Sequence, residues 1–247
     1  MRRFQLLPLV AVMALVASAG FAVKPSHAAV TLGSDLEPAP DTFLGCGEDC
    51  LQIQDVLPGR QLVSPFDGVI VRWRARVGAG TDAQSIRIRV VRRFDADQFT
   101  LITSSPSEPI PAGAGSYTFP AQLPIRSGDQ LGGDATAQSE IVWGAEVGGA
   151  HFLTYIPNPL DGGITSEPGP GGDDTELLIN ADVEADLDHD NFGDETQDQC
   201  PTNASTQGPC PVAQPATTAK KKCKKKKKHK RSAESAKKKK CKKKKKK

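Results

Sequence analysis

VIVRWRARV, from Val69 to Val77, is the stretch that decides the fold class. An extended chain points successive side chains to opposite faces. Val69, Val71, Trp73, Ala75 and Val77 therefore share one face, while Ile70, Arg72, Arg74 and Arg76 share the other. That is the period-2 signature of a half-buried strand. Ile86, Ile88 and Val90 alternate with Arg87 and Arg89 in the same way. Working outward, further strands are expected at Phe99–Thr103, Ser116–Phe119, Ile141–Val147, Phe152–Ile156 and Glu176–Val183. Turn clusters such as Val77-Gly78-Ala79-Gly80 and Ser127-Gly128-Asp129 separate them. Short strands with Gly and Pro punctuation, and no 3.6-residue period, predict a mainly β chain: an antiparallel β-sandwich or jelly roll over residues 61–183.

The flanks read differently. Residues 29–60 are expected to be an irregular lead-in, because Thr31–Gly45 is rich in Pro and Asp and shows little periodicity. The Gly- and Pro-rich stretch Asp161–Asp174 (DGGITSEPGPGGDD) predicts a long loop before the last strand. Residues 212–247 form a linker and a Lys-rich tail, a single-sign run that cannot bury a core and is expected to be disordered.

A formal net charge of +3 hides strong segregation. Lys220–Lys247 holds 20 basic residues and one acid, Glu234, while Ala29–Ala219 holds nine arginines, no lysine and 28 acids. An acidic body thus carries a basic tail. At the other end, Arg2-Arg3, an apolar run from Phe4 through Val16 and the small residues before Ala29 read as a signal peptide over residues 1–28, cleaved after Ala28 or after Ala19. The alternative is a retained membrane anchor, since Phe4–Val23 is uncharged. Either reading places the body outside the cytoplasm, secreted or at the cell surface. Six cysteines suit an oxidising compartment, and the simplest of their pairings is local: Cys46 with Cys50, Cys200 with Cys210, Cys223 with Cys241.

The chemistry concentrates between Asp182 and Asp198, where eight carboxylates crowd one short run closed by Cys200-Pro201. Alternation along an extended segment lets Asp186, Asp188 and Asp190 converge as hard oxygen ligands, which points to calcium. Counted as a D-x-D-x-D loop, these three take positions 1, 3 and 5. Phe192 offers its carbonyl at 7 and Asp194 stands at 9. Gln197 occupies position 12, where an EF-hand needs a bidentate Glu, so Asp198 is the better closing ligand. No amphipathic helix flanks the loop.

The run Asp186-x-Asp188-x-Asp190-Asn191-Phe192-Gly193-Asp194, followed by Asp198-x-Cys200-Pro201, resembles the thrombospondin type 3 repeat. The likeness covers about residues 182–211, with the repeat itself at 184–211. It implies an irregular calcium-binding segment fixed by a disulfide, with Asp186, Asp188, Asp190, Asp194 and Asp198 as ligands. Asn191 stands where the repeat usually has Gly, a position that asks for left-handed backbone.

Two charged features remain. Arg72, Arg74 and Arg76, with Arg87 and Arg89 on a neighbouring strand, form a candidate patch for sulfated or uronic polysaccharide. The plainer reading is a sheet face paired with Asp and Glu. The lysine tail suits an anionic cell-wall polymer or membrane surface, and no specific nucleic-acid partner is expected of an exported chain. Catalytic motifs such as G-x-S-x-G and H-E-x-x-H are absent from the sequence. Asn203-Ala204-Ser205 is a formal glycosylation sequon. The sequence thus predicts a non-enzymatic, calcium-binding structural or adhesion protein. A carbohydrate-binding module is the alternative, and a secreted hydrolase a more distant one.

Overall fold

A computed structural model describes residues 28–45, 50–135 and 141–212, and within them the chain is all strand and turn. The expected leader, Cys46, the Cys223–Cys241 pair and the lysine tail lie outside the described residues. Twelve strands form two antiparallel sheets. The smaller sheet sets β1 (Val30–Gly33), β12 (Ile179–Ala185), β4 (Gly68–Val77) and β8 (Gly115–Ile125) side by side in that order. The larger runs β11 (Gly169–Leu177), β10 (Val142–Tyr155), β3 (Cys50–Val56), β9 (Asp129–Ala135), β5 (Gln84–Asp95), β6 (Gln98–Ser104). Two short strands, β2 (Thr42–Phe43) and β7 (Glu108–Ile110), pair with β10 and β5. The arrangement is consistent with a β-sandwich.

Both sheets contribute to one apolar core. Ile70, Trp73, Ala75 and Val77 of β4 meet Ile86, Ile88 and Val90 of β5 and Trp143 of β10, all essentially buried. A second cluster, with Val91, Phe99, Leu101, Leu153 and Tyr155 among its members, draws its side chains from β3, β5, β6 and β10 of the larger sheet. There the Phe99 and Tyr155 rings pack edge to face at 5.9 Å, and the Tyr155 hydroxyl donates to the Asp97 carbonyl at 2.8 Å.

Several expectations are corrected. The strict alternation over Val69–Val77 is broken by a register shift between Ile70 and Arg72 against β8, matched by one between Asp182 and Val183 of β12. A bulge inserts one residue and exchanges the faces on either side of it. Ile70 thus joins Trp73 in the core, and Val71 turns to the side that meets Gly193. Residues 29–60, expected to be irregular, supply β1, β2 and β3, and β3 is buried over its first five residues. Its alternation, Leu51-Gln52-Ile53-Gln54, is only four residues long, and the polar face is buried too, with the Gln52 and Gln54 side chains hydrogen-bonded inside. The expected loop Asp161–Asp174 contains the start of β11. Its first part runs along β6, where Leu101 exchanges backbone hydrogen bonds with Gly162 and Gly163. The two strands expected at Ile141–Val147 and Phe152–Ile156 are one strand, β10, with an irregularity between Glu146 and His151.

The expected final strand Glu176–Val183 is two strands that change sheet at Leu178. Its N–H donates to the Trp143 carbonyl of the larger sheet at 2.8 Å, and its carbonyl accepts the Arg76 N–H of the smaller at 3.0 Å. One residue thus bridges the layers, and β12 beyond it is buried along its whole length between β1 and β4.

On β12, Asp182 is 6% exposed and accepts hydrogen bonds from Arg72, Arg74 and the Thr31 hydroxyl. Burial pushes its carboxyl pKa up, but the donors, Arg74 foremost, outweigh burial and bring it down to about 2. A carboxylate whose folded pKa is depressed contributes stability above its unfolded value of 3.8 and loses it as pH falls toward about 2. We expect Asp182→Asn to cost about 2–3 kcal/mol by urea unfolding at pH 7, leaving two arginines short of a partner. The variant should also lose less of its remaining stability than the parent between pH 5 and pH 2.

Candidate metal centre

Immediately past Ala185 the chain turns back on itself. The Asp194 N–H donates to the Ala185 carbonyl at 2.9 Å, closing a loop whose interior is lined by carboxylates. Asp186 organises it: one oxygen accepts the Asp190 N–H at 3.1 Å and the other the Asn191 N–H at 3.0 Å. The turn needs left-handed backbone at His189 (φ 60°) and Asn191 (φ 67°), a conformation Asn adopts at low cost. Asp190 accepts the Phe192 N–H at 3.0 Å and the Gln207 side-chain amide at 2.8 Å.

The loop is fastened to the sandwich at three points. Glu184 is the first, its carboxylate accepting the N–H groups of Glu195 and Thr196 and the Thr196 hydroxyl. Gln197 is the second, accepting from the Gly193 N–H and donating to the Ala121 carbonyl. Gln122 of β8 is the third, donating to the Asn191 carbonyl at 3.0 Å. Gly193 itself lies so close to the sheet that a Cβ there would sit 2.5 Å from both Glu184 Oε2 and Val71 Cγ1. Its role is close approach rather than the backbone freedom of a left-handed turn. Farther on, the Cys200–Cys210 disulfide and the Gln199-to-Gln207 backbone bond return the chain over the cluster. At the other end of the unit, the Ala29 N–H donates to Glu195 Oε1 at 2.8 Å.

Within this frame the ligand atoms of Asp186, Asp188 and Asp190 lie within 4.8 Å of one another. Two oxygens bound to one calcium at about 2.4 Å can be no more than about 4.8 Å apart, so the three fit a shared ion. Both Asp188 oxygens and Asp198 Oδ2 are buried with no hydrogen-bond partner among the described residues, while Asp198 Oδ1 accepts the Cys200 N–H at 2.8 Å. A buried carboxylate oxygen with neither donor nor cation is costly, and three beside other carboxylates are more so. The Asp188 pKa is raised by burial and by the charges of Asp190, Asp198 and Asp186. The Asn203 N–H, which also donates to the Cys200 carbonyl at 3.0 Å, acts in the opposite direction without outweighing them. Asp194 is pushed up to about 6, by burial first and then by Asp186, Asp188 and Asp198. A protein without a cation here holds mutual repulsion in place, and a divalent ion removes it.

Of the expected ligands, Asp186, Asp188 and Asp190 form the cluster, and Asp194 and Asp198 lie close enough to act on it through charge. Phe192 enters through its N–H, which donates to Asp190. Asp182 and Glu184, counted in the same acidic run, have other roles: one pairs with arginine in the sheet, the other anchors the loop. Gln207 was not singled out by sequence. Its only signal is a place between Cys200 and Cys210, which are ten positions apart.

The arginine patch does not assemble. Arg72 and Arg74 converge on Asp182 in the smaller sheet, and Arg87 and Arg89 converge on Asp134 in the larger one. Arg89, 3% exposed at its side chain, is not available to a polysaccharide. Comparison with protein-family models, curated proteins and solved structures returned no match.

Gly193→Ala is expected to lift the loop from Val71 and Glu184, at about 1–3 kcal/mol for an overpacked contact. Limited proteolysis with mass spectrometry should show faster cutting within residues 186–199, while the core strands stay protected.

Proposed function

We propose that this is an exported, non-catalytic structural protein in which a calcium ion, bound by Asp186, Asp188, Asp190, Asp194 and Asp198, stiffens the joint between a β-sandwich and a polybasic tail. The observation that carries the reading is the set of buried, partnerless oxygens on Asp188 and Asp198. Calcium takes six to eight oxygen ligands, and five carboxylates with backbone carbonyls such as that of Phe192 can supply them. The spacing of these residues resembles a single thrombospondin type 3 repeat, and the Cys200–Cys210 disulfide falls where that resemblance asks for one.

Beyond the joint, 20 basic residues from Lys220 onward give the tail its role. Attraction to an anionic wall polymer or lipid surface amounts to up to about 1 kcal/mol per lysine near the surface and is screened by salt. Binding of the ion does not need the tail, and attachment does not need the sandwich. The joint couples the two by fixing where the tail leaves the folded body.

Calorimetry on the full chain should register calcium binding, and calcium should protect Asp182–Cys210 from protease; equal cleavage with and without chelator would sink the reading. Asp188→Asn provides a sharper test, because the two states respond with opposite signs. Neutralising a buried, crowded carboxylate should leave the metal-free protein as stable or more so. The same change should weaken calcium at least about tenfold, one lost charged ligand being worth roughly 1.5–3 kcal/mol. Adhesion to anionic vesicles should fall steeply between low salt and about 0.5 M salt.

A further inference from the structure

Eight of the nine arginines in the folded body have a partner for the guanidinium. Arg60, Arg72, Arg74, Arg87, Arg89 and Arg92 pair with carboxylates. Arg76 donates to the carbonyls of Leu36 and Glu37, and Arg93 donates to the Ala96 carbonyl and lies over the Phe99 ring. Arg126 is the exception: among the described residues its guanidinium has no hydrogen bond and no ion pair. In a body where 28 acids compete for nine arginines, an unclaimed guanidinium is conspicuous.

Arg126 is exposed and lines an open cleft of about 370 Å³ shared with Asp67, Ile125, Asp186, His189 and Asn191. The volume falls within the range of small-ligand sites. One wall is the end of β8, and the other is the left-handed turn that Asp186 holds in place. The acids facing the cleft are already engaged. Asp67 accepts the Ser127 N–H at 2.8 Å, and both Asp186 oxygens accept backbone N–H groups. The His189 ring, like Arg126, makes no hydrogen bond among the described residues.

We propose that this cleft binds a carboxylate-bearing sugar, a uronate, with Arg126 gripping the carboxylate and calcium at Asp186 cancelling the opposing charge. A guanidinium matches a planar carboxylate with two parallel N–H donors, which lysine cannot do. Pro124, exposed on β8, offers an apolar surface to the C–H face of a pyranose, while Asn191, His189 and Asp67 offer polar atoms to its hydroxyls. The proposal rests on the calcium reading in one respect. Without the ion, Asp186 and Asp67 set two negative charges against one positive in the cleft, and an anion is repelled. With the ion bound, Asp186 shares its charge with a dication and the repulsion toward an anion falls. The ion also fixes the wall, because His189 and Asn191 stand in the turn organised by Asp186.

The test uses the full chain at about 0.3 M salt, where the Debye length is below roughly 8 Å and the tail's pull on a small anion is weak. Digalacturonate is titrated calorimetrically into the protein and into Arg126→Ala, each with calcium and with chelator, and its methyl ester serves as the uncharged control. The expected result is binding by the calcium-loaded protein, with a dissociation constant raised at least about tenfold by Arg126→Ala and by esterification. Chelator should abolish it. Calcium binding itself should be the same in both proteins, since Arg126 is no ligand. Equal digalacturonate binding by the two proteins, or none to the calcium-loaded parent, overturns the proposal while leaving the calcium joint standing. Failure of calcium to bind, with Arg126-dependent uptake persisting in chelator, overturns the calcium requirement and the joint together.

Discussion

The pairing of β12 with β4 is the constraint on which the rest of the molecule depends. Leu178 hands the chain from one sheet to the other through a single N–H and a single carbonyl, so β12 can enter the smaller sheet only in the register that β4 offers. That register places Asp182 against Arg72 and Arg74 and puts Glu184 where it can receive Glu195 and Thr196. It also delivers Asp186 to the mouth of the loop. Slipping β12 by one residue would turn Asp182 inward and Ala181 outward, burying a charge without its partners.

The acidic loop is therefore continuous with the sandwich's own hydrogen-bonding logic. Its carboxylates divide by environment, although they look alike in a count. Asp182 faces guanidinium groups and stays ionised far into acid; Glu184 faces backbone N–H groups and acts as a fastening. Asp188 and Asp198 face other carboxylates, and although Asp198 Oδ1 accepts the Cys200 N–H, among the described residues it is in this cluster that three buried carboxylate oxygens gather without a hydrogen-bond partner. Local supply of donors, rather than density of acids, separates a structural carboxylate from a candidate ligand.

How much of this could be read beforehand depended on how local the cause was. The core faces of β5, with Ile86, Ile88 and Val90, follow directly from alternation. The Asp cluster follows from spacing, and the left-handed Asn191 from the need for a turn. The bulge at Val71 did not show, because it exists only in the pairing of β4 with β12 and β8, strands distant in sequence. β3 offers only the four-residue alternation Leu51-Gln52-Ile53-Gln54, and β11 is hidden by glycines, two of which are demanded by the Phe152 backbone and ring pressing against them. The division of the arginines between two sheets is a property of topology that no alternation carries. Arg126 looked like one arginine among nine until the others were seen to be taken.

The contact between Ala29 and Glu195 bears on how the molecule would carry load. The residue before β1 and the turn of the acidic loop meet in one hydrogen bond, which ties the two segments together. Tension entering at Cys210 cannot draw out the segment enclosed by the disulfide, and it reaches β12 through a loop held by Glu184, Gln197 and Gln122. β12 is bonded to β1 on one side and β4 on the other, so that pull is shared by two ladders at once. A strand at the edge would unzip one bond at a time; an interior one has to yield along its length.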